Sequence, residues 1–217
     1  MSSDIFSREL AAYENVLLAK GEIPQGDIPL TMLGNARRIV CCDGAVDNLL
    51  KLGFEPTAIV GDCDSISEEL LQRFKKLIHP DKDIEYNDLN KALRYYNSLG
   101  VSKIALLGGF GLREDHALAN VGIMMMFARE KAMELVMVTN YGVFTPIFQS
   151  ASFNAYPGQQ ISVFSFSEDT ELTFSGLKYP VVKRKFKQLW EGSLNEALSD
   201  SFSVEFDKGS VLVYRAF

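Results

Sequence analysis

The first two thirds of the chain alternate short apolar runs with stretches of helical periodicity, and this alternation is the feature that most restricts the possible folds. Strands that alternate with helices predict a mostly parallel sheet flanked by helices. The predicted strands cover residues 16–19, 38–42, 58–61, 103–107 and 135–138. The predicted helices cover about residues 44–52, 67–77, 88–98 and 115–131.

After about residue 140, glycine and proline become frequent and short alternating runs replace the helical pattern. Such alternation at hairpin-like spacing is typical of antiparallel strands. The predicted strands there cover residues 161–166, 171–174, 203–206 and 211–214. We therefore predict an α/β domain at residues 1–140, followed by a smaller, sandwich-like antiparallel β domain at residues 141–217.

The charge and the composition exclude several classes of protein. The 22 basic and 28 acidic residues give a formal charge of −6 and a pI near 5.1, which argues against nucleic acid or an anionic membrane as the main partner. We find neither a signal-peptide pattern nor an uninterrupted apolar run of about 18 residues. Cys41, Cys42 and Cys63 lack the spacing of a structural zinc site, and we expect a soluble, cytoplasmic protein.

Asp62 and Asp64 follow the predicted strand at residues 58–61. Because side chains along a strand alternate with a period of two, both carboxylates are expected on one side of the chain. Mg²⁺ takes oxygen ligands, usually one or two carboxylates and substrate phosphates, so the pair predicts a site for metal and phosphate. The alternative is a polar loop in which aspartate forms a turn and Ser65 caps a helix.

Asp88 lies at the start of the helix predicted over residues 88–98. It either adds a third carboxylate to Asp62 and Asp64 or serves, with Asn87, only as the cap of that helix. In open α/β sheets, ligands bind at the carboxyl ends of the strands, so the loops that follow the strands are expected to converge on one cleft. These loops begin at Lys20, Asp43, Asp62 and Gly108.

The glycine-rich segment 108–111 leads into Arg113, Asp115 and His116. Its glycines permit close approach of the backbone to a ligand, and N–H groups with a guanidinium suit phosphate. The segment matches neither the P-loop nor the dinucleotide-binding pattern. The alternatives are that Asp115 caps the next helix and that His116 makes a structural hydrogen bond with Asn120.

Two further features of the C-terminal third have more than one interpretation. The basic run at residues 183–185 is either a solvated strand face or loop, or a contact to a triphosphate. Trp190 either stacks on an aromatic ligand or packs within the β domain, and we expect the second.

Taken in chain order, these motifs resemble the thiamine pyrophosphokinase family across nearly the whole sequence. The matching stretches are residues 43–45, 61–66, 87–93, 108–116 with Asn120, and 176–180. The resemblance implies a homodimer that binds thiamine where the subunits meet. It also implies a Mg²⁺-dependent transferase that moves the terminal diphosphoryl group of ATP to the thiamine hydroxyl, giving thiamine diphosphate and AMP.

By position, the resemblance assigns the metal site to the carboxylates of Asp62, Asp64 and Asp88, and catalysis to these three together with Arg113. It assigns substrate binding to a larger set of residues. This set is Asp43, Asn87, Gly109, Arg113, Asp115, His116, Asn120, Ser199 and Asp200.

The chain departs from the family pattern at a few positions. Ile84 stands where many relatives have glutamine, which removes a polar contact to nucleotide or thiamine. Asp200 stands where the family often has asparagine, and its carboxylate either pairs with the thiazolium of thiamine or indicates a different substrate. Smaller departures are Ala45 in place of glycine and Asn87 in place of threonine.

Two other functions agree with parts of the sequence. Residues 62–66 resemble the D-x-D-x-T motif of haloacid dehalogenase phosphatases, whose first aspartate is a covalent nucleophile, but Ile66 stands where that motif has threonine. The second alternative function is that of a non-catalytic regulator that binds nucleotide or thiamine. Ile84, in place of glutamine, is the only residue that indicates it. We favour the thiamine diphosphokinase.

Overall fold

The computed structural model describes residues 2–217, with side chains from Ile5 onward. The chain divides into two compact units. The α/β unit comprises Leu10–Asn140, and the β unit comprises Tyr141–Phe217 together with the N-terminal residues as far as Glu9. The N-terminal segment thus groups with the β unit, whereas the sequence placed it in the α/β domain.

In the described part of the α/β unit, six strands form a parallel sheet. They are β1 (Asn15–Leu18), β2 (Arg38–Cys42), β3 (Ala58–Gly61), β4 (Ile78–Pro80), β5 (Lys103–Leu107) and β6 (Glu134–Val138). Helix α1 (Ser2–Leu10) precedes them, and the later helices are α2 (Asp27–Asn35), α3 (Val46–Lys51), α4 (Glu68–Arg73), α5 (Asp88–Ser98) and α6 (Glu114–Glu130). A 3-10 turn at Asp43–Ala45 joins β2 to α3.

The order of the strands in this sheet is β6-β5-β1-β2-β3-β4. The chain runs outward from β1 to β4 and then returns to the other side of β1, so the order reverses between β1 and β5. The loops that follow these two strands flank the reversal, which is the usual position of a ligand site in such sheets.

The central strands were located correctly because they are buried. β3 is buried along its whole length, and β1, β2 and β5 are buried after their first residue. Strands covered on both faces form continuous apolar runs, which stand out in the sequence.

The sequence missed two elements of this unit because both contain residues that disfavour regular structure. Helix α2 contains Pro29 and Gly34, although Pro29 lies in the first turn, where its missing N–H costs little. Strand β4 ends in Pro80 and lies at the edge of the sheet, where proline is tolerated.

The β unit contains two antiparallel sheets. Its strands are β7 (Gly142–Ile147), β8 (Ala151–Asn154), β9 (Gln160–Ser165), β10 (Glu171–Ser175), β11 (Val181–Lys185), β12 (Asn195–Glu196), β13 (Ser201–Phe206) and β14 (Val211–Ala216). Within this unit β12, β9, β14 and β7 are neighbours in one sheet, and β11, β10, β13 and β8 form the other.

Alternate side chains of both sheets fill one core in the β unit. Ile161 and Val163 of β9 pack there with Leu172 and Phe174 of β10. Outward residues on the same strands are less buried, as expected for a sandwich. The predicted fold class, a mostly parallel α/β domain followed by a smaller antiparallel β domain, is confirmed.

An ion pair connects the first helix to the last strand of the β unit. Arg215 of β14 is fully buried, and its guanidinium donates to both carboxylate oxygens of Glu9 in α1. The same guanidinium lies over the rings of Phe6 and Phe153, at 5.1 and 5.0 Å from their centroids. This contact anchors α1 to the sandwich.

The expectation that Trp190 packs in the core is wrong, since the side chain is 70% exposed. Trp190 lies in the 3-10 turn Leu189–Gly192, and Gly192 is the residue of that turn that approaches β9. A Cβ on Gly192 would lie 2.2 Å from the carbonyl oxygen of Val163, so the turn packs through its glycine and leaves the indole outside.

The basic run at residues 183–185 forms part of the edge strand β11, and its side chains are exposed. Arg184 pairs with Glu191 at 2.5 Å. The structure therefore favours a solvated strand face for this run.

Within the described residues, no helix is both long enough and apolar enough to cross a membrane.

Candidate active site

Three carboxylates meet at the carboxyl edge of the parallel sheet. Asp43 follows β2, and Asp62 and Asp64 follow β3. Each offers an oxygen that lies within 4.8 Å of those offered by the other two. Asp43 is buried, whereas Asp62 and Asp64 are exposed. We call this group the acidic site; it has a buried wall and an open side.

The turn after β3, and not strand alternation, brings Asp62 and Asp64 together. The strand ends at Gly61, and Cys63 has a φ of 68°, which is uncommon for a residue with a side chain. The N–H of Asp64 donates to Asp62 Oδ1 at 3.2 Å and is the main cause of the lowered pKa of Asp62. Ser65 donates its hydroxyl to Asp64 Oδ1 at 3.1 Å, so the turn orders both carboxylates.

Asp43 is only 3% exposed and is held by backbone donors. The N–H groups of Gly44 and Cys63 donate to its two oxygens, at 2.5 and 2.9 Å. Gly61 makes room for it, since a Cβ there would lie 2.5 Å from Asp43 Cγ. The pKa of Asp43 is raised to about 6, first by burial and then by the charge of Asp88, although the two N–H donors oppose the rise. An ionised Asp43 is therefore costly without a nearby cation.

Asp88, the first residue of α5, lies beside this group. Burial raises its pKa, Lys91 opposes the rise, and the charges of Asp62 and Asp64 add to it. Lys91 is 4% exposed, and its Nζ lies 3.7 Å from Asp88 Oδ1. Asp88 is outside the group of three close oxygens, so it forms a flank of the acidic site.

A chain of amide side chains connects α5, α6 and the glycine-rich loop. Asn87 caps α5 by accepting the N–H of Asn90 at 3.0 Å. Its Nδ2 donates to Asn120 Oδ1 at 3.4 Å, and Asn120 Nδ2 donates to the Gly109 carbonyl at 2.9 Å. Asn120 thus bonds to Asn87 and Gly109, and not to His116 as the structural alternative expected. The chain fixes the loop after β5 relative to the start of α5.

Arg113, Asp115 and His116 are exposed at the start of α6. Arg113 pairs with Asp115 through contacts of 2.5 and 3.1 Å, and this pairing holds the pKa of Asp115 at about 2. The alternative that Asp115 caps α6 is wrong, because the helix begins at Glu114 with Arg113 in the cap position. Asp115 instead accepts the N–H of His116 at 2.9 Å.

Two further predicted substrate residues belong to the β unit. Ser199 and Asp200 are exposed residues of the β unit, and the Ser199 hydroxyl donates to the carbonyl of Ser201 at 3.1 Å. Ile84, in the loop before α5, is 97% exposed.

The structure places Lys91 and Lys20 next to the acidic site; sequence reasoning gave no role to Lys91 and named Lys20 only as the start of a loop at the predicted cleft. Lys91 follows Asp88 by three residues, the helical spacing that puts two side chains on one face. This spacing was the sequence pattern that could have predicted the contact. The signal for Lys20 was its position directly after a strand, at the edge where ligands bind.

Comparison with known proteins gives a consistent result. A family model described as the catalytic domain of thiamin pyrophosphokinase matches residues 30–137, and one described as its substrate-binding domain matches residues 142–214. A thiamine pyrophosphokinase of Bacillus subtilis (strain 168) is 29% identical over 149 residues, which cover 64% of this chain and 68% of that protein.

Solved structures resemble more than nine tenths of the chain in fold. A thiamine pyrophosphokinase from Bacillus subtilis has a TM-score of 0.78 at 23% identity, over 93% of this chain and 98% of that chain. A thiamin pyrophosphokinase from Candida albicans has a TM-score of 0.81 at 17% identity, over 96% of this chain and 90% of that chain. At such identities these structures show that the fold is shared.

Proposed function

Because the chain belongs to the thiamin pyrophosphokinase family, whose substrates are ATP and thiamine, we propose that its acidic site holds the Mg²⁺ that accompanies ATP. The reaction transfers the diphosphoryl group of ATP to the thiamine hydroxyl and yields thiamine diphosphate and AMP. The comparisons favour neither the covalent phosphatase nor the non-catalytic regulator.

The donor set fits a hard divalent cation. Asp43, Asp62 and Asp64 offer three carboxylate oxygens within 4.8 Å of one another, and Asp88 adds a fourth carboxylate beside them. This convergence of four carboxylates, next to the buried ammonium group of Lys91, is the observation that carries the proposal. When bound, Mg²⁺ neutralises charge on the polyphosphate and on the departing AMP.

The transfer requires positioning and charge neutralisation more than covalent participation by the protein. The thiamine hydroxyl oxygen forms a bond to the β phosphorus of ATP. The bond from that phosphorus to the oxygen bridging to the α phosphorus breaks, and its electron pair leaves with AMP. The hydroxyl proton is released as the new ester forms.

We propose specific tasks for residues at the start of α5 and in the segment that leads from β5 into α6. Arg113 exchanges its partner Asp115 for phosphate oxygens, since guanidinium groups bind both kinds of oxygen. Asn87 and Asn120 hold Gly109 so that the glycine-rich loop keeps its place against the nucleotide. The further proposed substrate contacts are Asp43, Asp115, His116, Ser199 and Asp200.

The test is incubation of the chain with ATP, Mg²⁺ and thiamine, followed by identification of the products. We expect AMP and thiamine diphosphate in equal amounts. Asp62→Asn should lower turnover by roughly 10²-fold or more while leaving the circular dichroism spectrum unchanged. Asp169→Asn, which removes an equal charge from an exposed loop of the β unit, is the matched control. Full activity of Asp62→Asn, or AMP release without thiamine, would contradict the proposal.

We further propose that the protein is a homodimer that binds thiamine where the subunits meet. Several large apolar side chains are exposed near the edge strand β12, and patches of this kind mark interfaces. They are Tyr179, Leu189, Trp190, Leu194 and Leu198. Light scattering should give a dimer mass, and Leu194→Asp should shift it toward the monomer. A monomer at micromolar concentration would contradict this assembly.

A reducing cytoplasmic location also remains a proposal. It is supported by the free thiols of Cys41, Cys42 and Cys63, of which the first two are buried.

A further inference from the structure

Lys20 lies two residues after the end of β1, where the strand order of the parallel sheet reverses. Its side chain crosses the backbone of Gly44, because a Cβ at position 44 would lie 2.4 Å from Lys20 Cδ and 2.9 Å from Nζ. The N–H of Gly44 donates to the Asp43 carboxylate. The ammonium group therefore lies one residue away from the acidic site, in a position that depends on the absence of a side chain at Gly44.

Lys20 is exposed, and no carboxylate of residues 5–217 lies within ion-pair distance of it. Of the two cations described above, Lys91 is buried against Asp88, and Arg113 has to give up Asp115 before it can bind an anion. A lysine kept next to a group of carboxylates without a partner of its own is available to an anionic ligand.

We infer that Lys20 binds the polyphosphate tail of the nucleotide. This inference rests on the proposed function, because it assumes that the acidic site brings a metal-bound triphosphate to this edge. The ammonium group then contacts phosphate oxygens directly and adds a positive charge where the carboxylates alone would repel the anion.

The loop that carries Lys20 is fixed by the backbone of the glycine-rich loop. The N–H of Glu22 donates to the carbonyl of Phe110 at 2.7 Å. A Cβ on Gly21 would lie 2.3 Å from the carbonyl oxygens of Gly108 and Phe110, so the two loops pack backbone against backbone. Lys20 is thus presented from an ordered loop, which lowers the entropy lost when it binds an anion.

The test is titration calorimetry of ATP with Mg²⁺ in the absence of thiamine, so that no turnover occurs. Lys20→Met keeps the apolar stem and removes the charge, and the dissociation constant should rise roughly tenfold. The dissociation constant of Lys20→Met for inorganic tripolyphosphate should rise by the same factor, because the contact is to phosphate. Lys51→Met, which removes an exposed lysine from the last turn of α3, should leave both constants unchanged.

A double-mutant cycle tests the geometry. Gly44→Ala displaces the Lys20 side chain and should weaken binding of ATP in the native background. In the Lys20→Met background the same substitution should weaken ATP binding no further, because the ammonium group that binds phosphate is already absent.

An unchanged dissociation constant for ATP in Lys20→Met would overturn the inference, and additive effects of the two substitutions would overturn its geometric basis. Failure of the native chain to form AMP and thiamine diphosphate would contradict the proposed function instead. The binding measurements would still decide whether Lys20 contacts the polyphosphate.

Discussion

The two units bury charge in opposite ways. In the β unit, the guanidinium of Arg215 is fully buried, and both oxygens of Glu9 accept hydrogen bonds from it. In the α/β unit, the buried carboxylate of Asp43 has backbone donors but no cationic side chain of residues 5–217 within ion-pair distance.

The difference is between a charge that is paired within its own unit and a charge that is not. A buried ion that is paired within its own unit adds to the architecture, and removal of either partner is costly. A group of carboxylates with a single ion pair, Lys91 at 3.7 Å from Asp88, is left with excess negative charge. In the proposed function, Mg²⁺ supplies the positive charge that this group lacks within the fold.

The largest effect is expected for Arg215→Ala. The substitution leaves Glu9 without its partner and removes the cation from the rings of Phe6 and Phe153. The free energy of unfolding in urea should fall by about 3–5 kcal/mol, equally with and without Mg²⁺.

The control for Arg215→Ala is Arg73→Ala, which breaks the exposed pair with Glu55. Its cost should stay below about 1 kcal/mol. Equal losses in the free energy of unfolding for both substitutions, or a loss for Arg215→Ala that changes with Mg²⁺, would contradict the view that Arg215 is a structural charge independent of the acidic site.

The second effect is the pH dependence that Asp43 gives to the stability of the metal-free protein. The pKa of Asp43 in the folded chain, about 6, lies above the ordinary 3.8, so the folded state holds this proton more tightly than the unfolded state does. The stability gained from the proton is present at low pH and lost as the pH rises from about 4 to about 6. At pH 7 the ionised group costs up to about 3 kcal/mol.

Asp43→Asn should therefore stabilise the metal-free protein at pH 7, and the gain should shrink as the pH falls toward 5 and when Mg²⁺ is added. Thermal unfolding in the presence of EDTA, repeated with saturating Mg²⁺, measures both changes. Asp169→Asn should show neither. A loss of stability at pH 7 in Asp43→Asn would mean that the charge is compensated within the fold.

The smallest of the three effects concerns the space around Asp43. In Gly61→Ala the new Cβ would lie 2.5 Å from Asp43 Cγ, so the carboxylate must move. We expect a loss of about 1–3 kcal/mol in stability and a reduced shift of the melting temperature by Mg²⁺. Gly122→Ala, whose Cβ meets nothing within 4 Å in the middle of α6, should instead stabilise by about 0.5–1 kcal/mol. An unchanged Mg²⁺ response in Gly61→Ala would show that Asp43 does not need its present position.

Much of the α/β unit could be predicted because its elements are set by local patterns. Helix α5 begins at Asp88 and ends at Ser98, as the spacing of its apolar residues predicts. Strand β7 was missed, since Gly142 and Pro146 interrupt its pattern. It forms through pairing with the distant strand β14, in which Pro146 lies opposite Leu212, and no local signal encodes such a partner.

The site was partly predictable for a related reason. Asp43 and Asp62 were expected to lie together because parallel strands bring the loops that follow them to one edge of the sheet, whereas Asp88 was proposed as a third carboxylate or as a helix cap. The left-handed turn at Cys63, the burial of Asp43 and the contact of Lys20 with Gly44 depend on packing between separate loops, so the sequence did not reveal them. The assignment of these residues to metal and substrate stays a prediction.

The contact between Glu9 and Arg215 also dictates an order of events during synthesis on the ribosome, because 206 positions separate the two residues. At ordinary rates of translation, roughly 10 to 40 s pass between the emergence of one and of the other. Helix α1 is therefore held by Arg215 only after β14 has been made, and the α/β segment between them has time to fold before that contact forms.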